Sequence, residues 1–149
     1  MITQMRYKKE MSMKFYVFIF SFVLIHASIF GDSHKNVFFK EPKDGATVNT
    51  KFKVVFGISK NKMKEGWKVV PSGPLQEKTG HHHLLIDQGP LAKGTIVPVG
   101  PKTIHYGKGQ TETQLNLEPG THKLTAQFAD GNHSSYGPEW SDSITVTVK

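Results

Sequence analysis

From residue 37 to the C-terminus, apolar side chains recur at alternate positions within short runs, and Gly, Pro, Asp or Asn separates the runs. Phe52, Val54 and Phe56 form one such stripe. Leu115 and Leu117 form another, Leu124, Ala126 and Phe128 a third, and Ile144, Val146 and Val148 a fourth. A period of two puts these side chains on one face of a strand, because successive strand residues point to opposite sides. Strands are therefore expected at 37–39, within 48–58, and at 67–70, 81–87, 110–117, 124–128 and 143–148. Three prolines and three glycines make 89–101 a long loop. There is no helical periodicity longer than a turn beyond the N-terminal segment, and no internal repeat. About seven strands with regular turn signals predict an all-β chain folded as an immunoglobulin-like β-sandwich of two sheets.

The first 31 residues read differently. A basic stretch carrying Arg6, Lys8, Lys9 and Lys14 precedes an uncharged apolar run from Phe15 to Ile25. Eleven residues fall short of the roughly 20 that a membrane-spanning helix needs. They match the apolar segment of a signal peptide, with the basic flank on the correct side. Small residues at Ala27, Ser28 and Gly31 offer cleavage points, Gly31 first, and Met13 would make a compact alternative start. The expected division is a signal peptide over 1–31 and a single domain over 36–149, with a periplasmic or secreted destination.

Removing that leader takes four basic residues and one acidic residue from the chain's 19 and 12, leaving a net charge of +4 where the whole chain has +7. Lys51, Lys53, Lys60, Lys62 and Lys64 remain only as a loose cluster. A nucleic-acid surface would want a basic stripe interleaved with aromatics, so no nucleic-acid partner is expected. The chain has no cysteine. Apolar packing must therefore hold the domain without disulfides, and any metal site must use His, Asp, Glu or Met.

Histidine is where chemistry concentrates. In the predicted strand, His82 shares a face with Leu84 and Ile86 and should turn toward the core. His81 and His83 share the other face with Leu85 and Asp87. Their Cα atoms lie roughly 6.5–7 Å apart, a span over which two imidazoles can ligate one ion. Further ligands would come from His105, His133 or Asp87. A nitrogen and oxygen donor set suits zinc, copper(II) or nickel, and copper or zinc is the plausible cargo of an exported protein. The competing reading has the same histidines as structural hydrogen-bonding groups in an adaptor domain that meets another envelope protein. A hydrolytic metal centre ranks third, with Asp87 and Glu112 the only nearby carboxylates and no identifiable general base.

Other motifs carry less. Residues 107–111, Gly-Lys-Gly-Gln-Thr, lack the spacing of a phosphate-binding loop and read as a tight hairpin turn with Gly107 or Gly109 at positive φ, from which Lys108 could meet an anion. Ser134 and Ser135 near His133 sit in no nucleophile motif. Asn132-His133-Ser134 is a glycosylation sequon, relevant only in a eukaryotic secretory route. Trp67 and Trp140 read as packing residues. His122, in Leu-Glu-Pro-Gly-Thr-His, stands where fibronectin-like sandwiches place a corner tyrosine that bonds to upstream backbone, and could replace it.

Three segments together resemble one family: Gly-His-His-His-Leu-Leu-Ile-Asp at 80–87, His-Tyr-Gly-Lys-Gly-Gln-Thr-Glu at 105–112, and 117–130 followed by His133. The chain is similar over about residues 36–149 to a group of small exported bacterial proteins catalogued as domain of unknown function 4399. The resemblance implies a periplasmic or secreted sandwich domain and brings no activity with it.

Overall fold

The computed structural model describes residues 35–149. The expected signal peptide, its cleavage points and the start at Met13 lie outside the described residues. Nine strands follow: β1 (Val37–Glu41), β2 (Ala46–Val48), β3 (Lys51–Ile58), β4 (Lys68–Val69), β5 (Thr79–Ile86), β6 (Thr103–His105), β7 (Glu112–Asn116), β8 (Gly120–Ala129) and β9 (Ser141–Val148). One short helix, α1 (Lys60–Lys64), fills the polar stretch after β3. Ser59 caps it, its hydroxyl accepting from the Lys62 N–H at 3.4 Å.

Strands β1, β3 and β7 form a three-stranded antiparallel sheet. The second sheet runs β2-β9-β8-β5-β4, with β6 also on β5. β4 lies beside Thr79 and Gly80, while β6 lies beside His83 to Leu85 farther along the same strand. The alternating stripes meet between the sheets. Phe39, Phe52, Val54, Phe56 and Leu115 face Leu84, Ile86, Leu124, Ala126, Ile144, Val146 and Val148. Burying each large side chain contributes about 1.5–3 kcal/mol, which is how a chain without disulfides holds together. The fold is thus an all-β, two-sheet sandwich of immunoglobulin-like type, as the periodicity predicts.

Two strands exceed the expected set. β2 is separated from β3 by a turn and pairs in parallel with the end of β9. β6 emerges from what reads as loop, because three residues flanked by Gly and Pro carry too little pattern to stand out. The Gly107–Gly109 turn also differs from expectation. Gly109 takes positive φ (74°), but the turn leads from β6 in one sheet to β7 in the other and is not a hairpin.

β5 is buried along its whole length. One face looks into the sandwich. The other is covered by the segment between β5 and β6, where Leu91 and Val97 pack on Leu85 and Ala129. Gln127 of β8 fastens this cover: its Oε1 accepts from the Leu91 N–H at 3.0 Å, and its Nε2 donates to the Gly137 and Trp140 carbonyls at 3.1 and 3.2 Å. Gly80 is required by close approach, since a Cβ there would meet the Ala129 carbonyl oxygen and come within 2.7 Å of the Phe128 ring. Asp142 joins the sheets, accepting from the Phe39 N–H at 2.9 Å and pairing with Lys35.

His122 does stand in for the corner tyrosine. Its Nε2 donates to the Glu118 carbonyl at 3.0 Å. Replacing it in His122→Ala should cost about 0.5–1.5 kcal/mol, the net worth of one such bond. A urea midpoint that falls at unchanged slope would report it. An unmoved midpoint would show that the bond carries no stability.

Candidate functional site

The register of β5 against β6 builds the site. His83 pairs directly with His105, and their rings stack with centroids 5.0 Å apart and planes 20° from parallel. Strand alternation brings His81 to the same face, 4.7 Å from the His83 ring. His133 arrives from the loop after β8, in a left-handed conformation (φ 66°). Asp130 shapes that loop, its Oδ1 accepting from the N–H groups of Asn132 and Ser134, both at 2.9 Å. The Val97 N–H donates to the His133 carbonyl at 2.9 Å and holds the residue from the other side.

The result is a four-histidine cluster. His81, His83, His105 and His133 each offer one ring nitrogen, and these four atoms lie within 4.8 Å of one another. The Nε2 atoms of His105 and His133 are 3.1 Å apart. Tetrahedral donors at zinc–nitrogen distances of about 2.0–2.1 Å lie about 3.3 Å from each other, so small side-chain adjustments would bring this set onto one ion. His81 and His83 form a buried floor, His133 is half-buried, and His105 is exposed. Beside them opens a pocket of about 250 Å³, walled by Ile96, Val97, Pro98, Val99 and Thr103.

Electrostatics keep the lone pairs free. Burial, reinforced by His105 and His133, lowers His81 to about 4, with the Asp130 charge acting in the opposite direction. Burial and the neighbouring imidazoles lower His83 to about 3, and burial with His133 lowers His105. These three rings are neutral at pH 7, the state in which imidazole ligates a metal. Among the described residues, neither nitrogen of His81, nor Nδ1 of His83, has a hydrogen-bond partner. A buried polar atom left in that condition costs about 1–3 kcal/mol.

The four histidines singled out from sequence come together. Asp87 does not join them. It turns at positive φ (56°), and its Oδ1 accepts from the Lys123 N–H at 3.2 Å while Oδ2 pairs with Lys102 at 3.4 Å. Glu112 pairs with Lys53 at 2.9 Å. His82, as expected, faces the core. Two contributors escape sequence reading. One is Asp130, whose spacing to Asn132 and Ser134 is the only hint of its role. The other is Gly107: a Cβ there would collide with the His105 ring, coming within 2.6 Å of Nε2, so the first glycine of Gly-Lys-Gly makes room for a site residue.

Fold and site together define a cysteine-free β-sandwich that carries a four-imidazole cluster between its central strand and a covering loop. The chain belongs to the family described as Domain of unknown function (DUF4399), whose model matches residues 61–149. That span contains all four histidines. No curated protein matches the chain. Among solved structures, the chain is similar to the fibronectin(III)-like modules of Clostridium thermocellum CbhA. The identity is 15%, the match covers 76% of this chain and 96% of that one, and the TM-score is 0.43. No helix among the described residues is long and apolar enough to cross a membrane.

Proposed function

We propose that this protein is an exported, non-enzymatic binding module that holds a zinc or copper(II) ion among His81, His83, His105 and His133. The observation that carries the reading is the convergence of four ring nitrogens within 4.8 Å, donated by two adjacent strands and one pinned loop. An all-nitrogen set without thiolate or thioether favours zinc or copper(II) over copper(I). Export rests on the basic and apolar leader of residues 1–31. The half-exposed edge formed by His105 and His133 gives an ion a way in, while the buried pair fixes the geometry.

The test is elemental analysis followed by calorimetric titration of zinc and copper(II) into chelator-stripped protein. One ion per chain is expected. The double variant His81→Ala/His83→Ala should lose binding. Because that pair is buried, His105→Ala/His133→Ala at the exposed edge serves as a second variant that leaves the interior intact. Unchanged affinity in either folded variant would sink the assignment.

One observation favours a second reading. The 3.1 Å approach of His105 Nε2 to His133 Nε2 is also a hydrogen bond that ties β6 to the 130–136 loop without any ion. In that case the cluster serves loop geometry in a structural or adaptor domain of the cell envelope, and titration shows no saturable binding of either metal.

A further inference from the structure

Charge at the histidine cluster does not balance once an ion is bound. Imidazole ligates as a neutral ring, so a zinc or copper(II) ion held by His81, His83, His105 and His133 keeps its full double charge. Among the described residues, no carboxylate belongs to the cluster or lines the pocket beside it. Asp130 lies near enough for its charge to act on His81, but its Oδ1 is already committed to two loop N–H groups. Asp87 and Glu112 are turned away onto lysines. Two positive charges against one negative leave one unbalanced. The layer around it is apolar and buried, formed by Leu85, Val97 and Ala129. A charge left uncompensated beside such an interior is costly, so the loaded site calls for one further anion.

The pocket shows what kind of anion. Its volume of about 250 Å³ has His83, His105 and His133 on one side and Ile96, Val97, Pro98 and Val99 on the other. Wall and ligand loop are tied together: the Val97 N–H donates to the His133 carbonyl at 2.9 Å, and Ile96 bridges to Ser134. Four large apolar side chains stand exposed among the described residues, Met63, Leu75, Ile96 and Val99, and two of them rim this one pocket. Ligand sites usually measure about 300–1,000 Å³, so the occupant is small, with an aliphatic body and a single charged end.

We propose that the metal-loaded site binds a short, branched aliphatic monocarboxylate. Its carboxylate faces the ion at the His105–His133 edge, and its alkyl body covers Ile96, Val97 and Val99. The inference rests on the metal reading above and names the second ligand of that site. Zinc can expand to five donors and copper(II) favours a tetragonal set, so four imidazoles close neither ion to an oxygen.

The test uses 3-methylbutanoate in chloride-free buffer, titrated by calorimetry into protein that elemental analysis has first shown to hold zinc or copper(II). The visible absorption of the copper form gives a second signal. For a ligand of about seven non-hydrogen atoms, a Kd of about 0.1–1 mM is expected. Acetate keeps the charge without the body, and 3-methylbutanamide keeps the body without the charge. Each should bind at least about tenfold more weakly. Chelator-stripped protein should show no saturable binding up to about 10 mM. The surface variant I96S/V99S should weaken 3-methylbutanoate about threefold or more, leaving acetate and metal affinity unchanged. A chain that takes up no ion sinks the metal reading and this inference together. A loaded chain that binds 3-methylbutanoate no better than acetate or the amide, or not at all, overturns this inference alone. So does equal binding to the stripped protein, or an I96S/V99S variant that binds as the parent does.

Discussion

Lowering the pH from 7 to 5 should remove about 4 kcal/mol of folding stability from the metal-free protein, through His82 and His83 alone. Burial sets the folded values of both near 3, against 6.5 for an ordinary histidine. Below pH 6.5 the unfolded chain takes up protons on these rings and the folded chain does not. The unfolded state is then favoured by about 1.4 kcal/mol per pH unit for each ring, or about 2 kcal/mol each at pH 5. The stabilisation is complete above pH 6.5, falls as the pH drops, and stops changing near pH 3, where the folded rings also protonate. His81, lowered to about 4, acts in the same direction. Urea unfolding of chelator-treated protein at pH 7 and pH 5 measures the difference. Equal midpoints would mean that these rings find water or partners in the folded state. Since small domains are stable by only about 5–15 kcal/mol, the loss would bring the metal-free protein near to unfolding in mild acid.

Phe128→Ala should cost about 3–5 kcal/mol at neutral pH, the range for emptying a buried aromatic site. Phe128 is fully buried in a cluster with Val37, Ile58 and Trp140. Its ring lies 5.4 Å from Trp140 and 6.1 Å from Tyr136, and its edge contact with His82 is part of what immobilises that imidazole. Collapse into the hole is hindered, because Trp140 is itself locked against Trp67 with centroids 3.9 Å apart. Phe128→Leu, which leaves a smaller void, should lose distinctly less. Denaturant midpoints for the two variants test the ordering, and equal losses would show that the ring acts through its aromatic contacts more than through its volume.

The fold was legible where the side-chain period was clean. The stripes of β3, β8 and β9 could be read directly, because a core face filled by every second residue leaves its signature in one strand alone. β2 and β6 could not be read so. Each has three residues, and each exists through its partner: β2 through the parallel end of β9, β6 through the buried edge of β5. The site divides in the same way. That His81 and His83 share a face follows from alternation within one strand. That His105 lies opposite His83 depends on the β5–β6 register, which nothing in residues 103–105 specifies. Asp87 looked equally eligible as a ligand, but its left-handed backbone sends the carboxylate to Lys123. Gln127 alternates as an outward polar residue should. Its burial reflects the covering segment from 87 to 102, a layer without period and therefore without a sequence signature.

The brevity of the outermost strands has a consequence for how copies of this protein meet. A sheet edge presents unpaired N–H and C=O groups, and a long, flat edge is a template for another chain. In the larger sheet the edges are β2 and β4, of three and two residues, with β6 adding three more along β5. In the smaller sheet β1 is interrupted between Phe39 and Glu41, and β7 carries Glu112 beside a row of polar side chains. Among the described residues, the borders of the larger sheet thus offer another chain ladders of only two or three residues.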